Sequence, residues 1–188
     1  GAVFYQDYAD FQLNTFLGID IPDHWMGTVN WTPLLSEIAG YGAGVTVGVV
    51  DQGFEGAGAL SAAPEAYGPV HEGQTHGLEV SGVLAGALDG EGVMGVAPSA
   101  DLVLSNPFGA NAKAELEDVT ASIAQVGAAG ASIINLSLGE AGYTFSEGWV
   151  ETFSDPDVVA NTSDSLFIMA SANDGARPEN DADFGQPG

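Results

Sequence analysis

Three residues whose side chains suit proton transfer or hydrogen bonding stand where regular elements begin or end. Asp51 follows the apolar run of residues 45–50, His76 opens a helical pattern, and Asn173 follows the apolar run of residues 166–170. Functional side chains of an open parallel sheet gather beyond the carboxyl ends of its strands, so the three would share one rim. Each also has a structural interpretation, because turn aspartates and turn asparagines are common and a lone histidine is often a packing residue. A helix N-terminus disfavours a cationic histidine, and an aspartate partner would reverse that preference.

Four apolar runs alternate with helical patterns, and these predict the elements that would position the three residues. The predicted strands cover residues 45–50, 102–104, 133–136 and 166–170. The predicted helices cover residues 76–88, 113–128 and about 146–162, the last interrupted at Pro156. A loop rich in glycine and alanine follows Asp51 and reaches about Thr75. The order of strands and helices predicts an α/β domain, a doubly wound parallel sheet with helices on both faces.

Two of the helical patterns carry an apolar stripe. The stripe of the first helix is formed by Val80, Val83, Leu84 and Leu88. The stripe of the second helix is formed by Leu116, Val119, Ile123 and Val126. Such stripes predict which side of each helix packs against the sheet.

The length and composition indicate one globular domain with a less regular leading segment. The chain has 188 residues, of which 45% are hydrophobic, enough for a sizeable core. Residues 1–40 are aromatic and acidic with weak periodicity, and we expect a lead-in that packs on a domain formed by residues 41–188. A short helix is expected to open at residues 31–35. No apolar run approaches the roughly 18 residues of a membrane helix, and no signal-peptide pattern is visible.

The charge balance is strongly acidic. The chain has 26 acidic side chains and 2 basic ones, which gives a formal net charge of −24. Such a surface repels nucleic acid and anionic lipid, so both are excluded as partners. It also repels itself unless salt or bound cations screen it. Salty or calcium-containing surroundings, a surface poor in trypsin-type cleavage points, and simple compositional drift remain alternative explanations. The absence of cysteine excludes disulfides, thiol catalysis and cysteine-based zinc sites.

Five motifs occur in an order that resembles the subtilisin-like serine proteases, the subtilases, over roughly residues 42–175. The motifs are Val47-Gly48-Val49-Val50-Asp51-Gln52-Gly53, His76-Gly77-Leu78-Glu79-Val80-Ser81-Gly82, Gly92-Val93-Met94-Gly95-Val96-Ala97-Pro98-Ser99-Ala100, Ile133-Ile134-Asn135-Leu136-Ser137-Leu138-Gly139 and Ala170-Ser171-Ala172-Asn173-Asp174-Gly175. Leu78 stands where the family usually has threonine, and Ala172 where it usually has glycine. The resemblance implies a subtilisin-like fold.

The resemblance also implies catalytic roles for the three residues. Asp51 would accept the Nδ1–H of His76 and fix its tautomer. His76 would take the proton of a serine hydroxyl and give it to the leaving amine. Asn173 would donate its side-chain N–H to the developing oxyanion, as an asparagine does in other members of this family.

Two further segments are implied to bind the substrate. Ser137, Leu138 and Gly139 would present an unpaired backbone edge to an extended peptide, which supplies affinity with modest sequence preference. Gly109, with Ala110 and Asn111, would form the opposite rim.

The family's nucleophile motif is absent. Subtilases carry the serine in Gly-Thr-Ser at the start of a later helix, and no such string occurs in this sequence. Ser132 leads into a strand and Ser81 lies inside the histidine helix, so neither fits. We therefore expect the domain to be completed by a missing C-terminal segment, supplied by a second polypeptide, for example one produced by nicking of a precursor after Gly188.

Two weaker signals point to other ligands. The glycine spacing of the dinucleotide-binding motif, G-x-G-x-x-G, occurs at Gly90-Glu91-Gly92-Val93-Met94-Gly95. The stretch follows a predicted helix, however, and Pro98 stands where a phosphate-binding helix should run. The acidic cluster Glu179, Asp181 and Asp183 has oxygen ligands of the calcium type, and many subtilases bind structural calcium. Its spacing fits no defined loop, so a solvated acidic tail is the favoured interpretation.

The favoured function is a serine endopeptidase that hydrolyses peptide bonds through an acyl-enzyme, its serine supplied by the second polypeptide. The alternative is a catalytically silent subtilase-like module for binding or assembly. Besides that polypeptide, the expected partners are a peptide or protein substrate and a propeptide inhibitor, with no nucleic acid and no membrane span. No cofactor is expected to be required. The family resemblance favours a secreted or periplasmic protein.

Overall fold

The computed structural model describes residues 13–16, 19–22, 38, 40–57, 60, 64–87, 94–139 and 147–170. Within them the strands are β1 (Leu13–Phe16), β2 (Ile19–Pro22), β3 (Thr46–Val50), β4 (Glu65–Tyr67), β5 (Asp101–Ser105), β6 (Ile133–Leu136) and β7 (Leu166–Met169). The α-helices there are α1 (His76–Ala85), α2 (Leu116–Ala128), α3 (Glu147–Ser154) and α4 (Pro156–Thr162). A short 3-10 helix at Gly40–Gly42 precedes β3.

The main sheet of the described part has five parallel strands in the order β4-β5-β3-β6-β7. β3 is central, and its last residue, Val50, pairs in register with Ser105 at the end of β5. β6 lies on its other side, so residues that follow β3, β5 and β6 emerge at one edge of the sheet. The predicted α/β architecture with a parallel sheet is confirmed.

Two hydrophobic clusters cover opposite faces of this sheet. Side chains alternate along β3, so Val47 and Val49 belong to one cluster and Val50 to the other. The first cluster packs against α1, and the second packs against α2, α3 and α4. Helices therefore lie on both faces, as predicted, and each fully buried valine, leucine or isoleucine contributes about 1.5–3 kcal/mol to this packing.

The side of α1 that faces the sheet agrees with the predicted stripe at Val80 and Leu84, which pack against the first cluster, and differs from it at Val83. Its buried residues are the small ones, Gly77, Ser81 and Ala85, whereas Val83 is 49% exposed. The helix approaches the chain so closely that a Cβ on Gly77 would lie 2.5 Å from the ring of Phe54. Only glycine fits at that distance, so the closest approach of α1 is made at Gly77.

The predicted helix over residues 146–162 is two helices, α3 and α4. Asp155 lies between them, and its carboxylate accepts hydrogen bonds from the N–H groups of Asp157 at 2.9 Å and Val158 at 3.2 Å. Pro156 occupies the first turn of α4, where a missing N–H costs nothing. The proline therefore begins a helix in addition to ending the preceding one.

Other boundaries also differ from the prediction. α1 ends at Ala85 because Gly86 adopts φ −57° and ψ 143°, and α2 begins at Leu116 and not at residue 113. β4 lies within the loop predicted after Asp51. It has three residues with little apolar character, and its strand conformation comes from pairing with β5.

The described part of residues 1–40 contains an antiparallel ladder between β1 and β2, with Leu13 opposite Pro22. The helix predicted at residues 31–35 and the stripe residue Leu88 lie outside the described residues. Among the helices that are described, none has the length and apolar character needed to cross a membrane.

Candidate active site

Asp51 and His76 meet at the carboxyl edge of the sheet. His76 Nδ1 lies 2.6 Å from Asp51 Oδ1, although the two residues are 25 positions apart. The carboxylate is 2% exposed and the imidazole is 53% exposed. A buried acceptor thus holds one nitrogen of a ring whose other side is open to solvent. This is the arrangement that fixes an imidazole tautomer and leaves the ring accessible to a reactant.

The sheet and the following turn hold Asp51 in place. Its N–H donates to the carbonyl of Ser105 at 3.1 Å, which extends the ladder between β3 and β5 by one residue. Oδ1 also accepts the N–H of Gln52 at 2.6 Å, whereas Oδ2 is buried without a partner among the described residues. Burial raises the pKa of the Asp51 carboxyl above its ordinary value, and the hydrogen bonds from His76 and Gln52 offset this only in part.

Backbone hydrogen bonds fasten the first turn of α1 to the turn after Asp51. Gly77 N–H donates to the carbonyl of Gln52 at 2.8 Å, and Leu78 N–H donates to the carbonyl of Gly53 at 3.1 Å. These donors are helix N-terminal N–H groups that have no partner inside the helix. They find acceptors one and two residues after the aspartate, so the same bonds that cap the helix set the distance between the two side chains.

Gly53 makes the close approach possible. It has φ +73°, and a Cβ there would lie 2.2 Å from the carbonyl oxygen of Gln74. Only glycine combines that backbone conformation with that contact. The glycine two residues after Asp51 therefore lets the segment before His76 lie directly against the end of β3.

The predicted substrate segment at Ser137, Leu138 and Gly139 follows the carboxyl end of β6. The ladder with β7 ends where Ala170 N–H donates to the Leu136 carbonyl at 3.1 Å. In the described part of the chain, the backbone groups of residues 137–139 have no hydrogen-bond partner. Ser137 Oγ accepts from the Asn135 side chain at 2.8 Å, and a Cβ on Gly139 would meet open space. Within the described ranges, this segment therefore has backbone donors and acceptors without partners beside an accessible surface.

Gly109 lies in the loop after β5, and its backbone groups are already engaged. Its N–H donates to the Lys113 carbonyl at 2.9 Å, and its carbonyl accepts from Ala112 N–H at 3.0 Å and from Gln74 Nε2 at 3.0 Å. Its neighbours Ala110 and Asn111 are exposed. Gly109 thus supports a rim whose exposed part is formed by the two residues after it.

The subtilase family model matches residues 42–188 of the chain. The chain belongs to the subtilase family. Subtilisin BL of Lederbergia lenta is 30% identical over 144 residues, which cover 72% of this chain and 50% of that protein. Alkaline elastase YaB of Bacillus sp. (strain YaB) is 29% identical over 166 residues, which cover 80% of this chain and 41% of that protein. The chain thus spans about half the length of the curated relatives it matches.

The fold is also similar to that of two solved structures. The structure of the prenylagaramide maturation protease PagA superposes with a TM-score of 0.58 at 24% identity, covering 77% of this chain and 52% of that chain. Fervidolysin from Fervidobacterium pennivorans, a keratinolytic enzyme related to subtilisin, gives a TM-score of 0.57 at 21% identity, covering 78% of this chain and 24% of that chain.

Several predicted site residues of this subtilase cannot be placed. Asn173, the predicted oxyanion donor, lies outside the described residues, as do the acidic residues Glu179, Asp181 and Asp183. Among the residues that are described, no group of three or more histidine and acidic side chains is arranged to hold a metal ion. The roles of Asn173 and of structural calcium therefore stay predictions.

Three of the described serine hydroxyls of the subtilase chain donate to groups other than His76. Ser81 Oγ donates to the carbonyl of Gly77 at 2.7 Å, and Ser132 Oγ donates to the carbonyl of Thr46 at 3.2 Å. Ser105 Oγ donates to the Gln125 side chain at 3.2 Å. Within the described ranges, His76 has Asp51 as its side-chain partner and no serine.

No pattern in the sequence indicated that Gln74 belongs to the site. This side chain is 9% exposed, although glutamine is ordinarily a surface residue, and it lies two positions before His76. The available signal was its place in the short segment between the glycine-rich loop and the histidine motif. No periodicity marks such a residue, because its contact is with Gly109, 35 positions away.

Proposed function

We propose that this chain supplies the aspartate and histidine of a serine endopeptidase that hydrolyses peptide bonds through an acyl-enzyme. The observation that carries the proposal is the 2.6 Å contact between His76 Nδ1 and the buried Asp51 carboxylate, made by an imidazole that is half exposed. A structural histidine would more often be enclosed or paired at the surface. Membership of the subtilase family supports the same reaction.

In the first step, His76 is the general base. Asp51 accepts the Nδ1–H, so the lone pair resides on Nε2, which takes the proton from a serine hydroxyl as its oxygen attacks the peptide carbonyl. The imidazolium formed then lies against a carboxylate that had been buried at a cost, and their attraction offsets that cost in the transition state. His76 next donates its proton to the leaving amine, and a water molecule repeats the sequence on the acyl-enzyme.

The proposal assigns the remaining roles to the predicted residues. Asn173 donates its amide N–H to the oxyanion, an interaction whose loss costs about 10²–10³ in rate in enzymes of this type. Ser137, Leu138 and Gly139 pair with the extended substrate backbone, which their unpaired backbone groups in the described structure support. The substrate is thereby a peptide or an exposed protein segment.

The nucleophilic serine, in this proposal, lies outside these 188 residues. The support is that the sequence contains no Gly-Thr-Ser and that His76 has no serine partner among the described residues. We expect a second polypeptide to carry it. A continuation of the same polypeptide would meet the same chemical need, and the mass of the active species distinguishes the two.

Further parts of the proposal concern the protein's surroundings. We expect an exported protein, secreted or periplasmic, inhibited before maturation by a propeptide. The reaction as written needs no cofactor, since both proton transfer and charge stabilisation come from side chains. Structural calcium, if bound, would act on stability and not on the chemical step. The domain boundary proposed from the sequence separates residues 1–40 from residues 41–188.

The test combines intact-mass spectrometry of the purified active material with labelling by a fluorophosphonate probe. We expect a single label on a serine outside residues 1–188. His76→Ala should reduce both labelling and peptide hydrolysis by about 10⁴-fold or more, and Asn173→Ala by about 10²–10³-fold. His71→Ala is the matched control, since His71 has no carboxylate partner among the described residues, and should retain activity.

Two results would contradict the proposal. Labelling that is unchanged in His76→Ala would show that the imidazole does not activate the nucleophile. A complete complex that takes no label and cleaves no peptide would leave the catalytically silent binding or assembly module as the better description.

A further inference from the structure

We infer that Gln74 is a positioning residue, which fastens the loop after β5 to the His76 segment and so sets the affinity for extended substrates. The inference rests on the proposed endopeptidase function. It concerns a residue two positions before the proposed base, whose side chain points to a different part of the site.

Gln74 joins three segments of the site. Its Nε2 donates to the carbonyl of Gly109 at 3.0 Å, in the loop after β5. Its backbone N–H donates to the carbonyl of His71 at 3.2 Å, which closes the turn leading to His76. It also lies against the backbone of Gly53, where a Cβ would come within 2.4 Å of the Gln74 Cβ. The side chain thus connects the turns that hold Asp51 and His76 to the predicted substrate rim.

The loop after β5 needs such a fastening. Ala112 has φ +59°, a conformation that costs energy in any residue with a side chain. The turn from Gly109 to Lys113 closes on itself through two backbone hydrogen bonds. Among the described residues, the Gln74 amide bonds to this turn at Gly109, and the start of the loop is held at Asn106, whose amide donates to the Pro69 carbonyl at 2.7 Å.

Loss of the Gln74 amide should act locally. The Gly109 carbonyl would keep its hydrogen bond from Ala112, so no buried acceptor would be left without a partner. The Gln74 Oε1 atom is already buried and has no hydrogen bond among the described residues, so an apolar replacement removes an unsatisfied group. Gln74→Met has about the same length and volume, and should leave the fold and the Asp51–His76 contact intact.

The physical expectation is a change in substrate affinity and not in the chemical step. A loop released from the His76 segment samples more conformations, and an extended peptide must order it on binding. A short ester that occupies only the reacting centre does not contact the rim. The two substrates therefore separate a positioning role from a general structural role.

The experiment uses the complete active complex with wild-type chain, Gln74→Met and Gln74→Asn, whose amide is one methylene too short to reach Gly109. Asn161→Leu is the matched control, because it removes a side-chain amide hydrogen bond to a backbone carbonyl on α4, where Asn161 Nδ2 donates to Asp157 at 2.7 Å. Kinetics are measured with a tetrapeptide p-nitroanilide and with a single-residue ester that has the same residue at the cleaved bond.

We expect both Gln74 variants to lower kcat/KM for the tetrapeptide by about 3- to 10-fold, the effect of one neutral hydrogen bond, mainly through KM. The ester should change by less than about 2-fold, with an unchanged pH profile, and Asn161→Leu should affect neither substrate. Equal losses on both substrates, or no loss on the tetrapeptide, would overturn the inference while leaving the proposed function standing. A wild-type complex without esterase or peptidase activity would instead overturn the proposed function, and this inference with it.

Discussion

Replacing Asp51 by asparagine should separate the cost of burying the carboxylate from its benefit in catalysis. In the wild-type chain Oδ1 accepts from both His76 Nδ1 and the Gln52 N–H, at 2.6 Å each. Asparagine can satisfy both donors only with its oxygen in that position, because its NH₂ group would face two donors. We therefore expect Asp51→Asn to preserve the imidazole tautomer and to replace the negative charge by a neutral amide, whose NH₂ group takes the buried position of Oδ2.

The size of the catalytic loss follows from that geometry. Two unit charges about 4 Å apart attract by about 4 kcal/mol at an effective dielectric constant of about 20. Since each 1.36 kcal/mol is about tenfold in rate, this amounts to about 10³-fold. Solvent on the open side of His76, which is 53% exposed, weakens the attraction. The expected fall in kcat is therefore about 10²- to 10³-fold.

The same substitution should change how stability depends on pH. Burial raises the pKa of the Asp51 carboxyl above its ordinary value of 3.8, so the folded state binds this proton more tightly than the unfolded state does. The protonated Asp51 carboxyl contributes its full stability below the unfolded-state pKa. This contribution is lost as pH rises through the raised folded-state pKa. Asparagine does not titrate, so the Tm of Asp51→Asn relative to wild type should increase from about pH 4 to about pH 7.

The assay is kcat on a peptide substrate together with Tm across that pH range, for wild type and Asp51→Asn. A loss of about 10⁴-fold or more would refute the shared-acceptor argument, because it is the loss expected when the wrong tautomer forms. A loss below tenfold would refute the charge argument. A Tm difference that falls as pH rises would show that Asp51 is stabilised, and not penalised, in its charged form.

Two further predictions concern the backbone and the surface. Gly53→Ala should destabilise the fold by clearly more than the roughly 1–2 kcal/mol of a left-handed alanine, because its Cβ would lie 2.2 Å from the Gln74 carbonyl oxygen. Gly44→Ala is the control, since its φ of +79° is similar and its Cβ would meet nothing within 4 Å; equal losses of Tm in the two variants would contradict the close-approach argument. With 26 acidic and 2 basic side chains, the protein should gain at least about 4 °C in Tm between about 0.1 M and about 2 M NaCl as the repulsion is screened. A flat or falling Tm would show that the charge does not oppose folding, and a larger rise with CaCl₂ at equal ionic strength would indicate specific cation binding.

The regular elements on either side of Asp51 could be predicted from the sequence because their signals are local. The valines before Asp51 form an apolar run typical of a buried strand, and residues 116–128 place Val119, Ile123 and Val126 on one side, where they are buried. The same holds for the parallel arrangement, since alternation of strands and helices leaves few other topologies. The Asp51 and His76 motifs are also local, and they occur in the same order as the corresponding motifs of the subtilase family.

Other features depend on which segments meet, and no local pattern carries them. β4 is a strand because it pairs with β5, although Glu65 and Ala66 are exposed. The predicted stripe of α1 was wrong at Val83, which is 49% exposed, and it missed Gly77, whose close contact with Phe54 only the fold creates.

The residue types of the candidate site were therefore set by the sequence, and their electrostatics by the tertiary structure. The sequence places a carboxylate after a strand and an imidazole at the start of a helix. Only the packed sheet buries Asp51, leaves His76 half open and brings their atoms to 2.6 Å. Likewise, only the fold brings Gln74 to Gly109 across 35 residues. The burial of a side chain and the distance between two side chains depend on several segments at once. For this physical reason they could not be predicted from the local sequence.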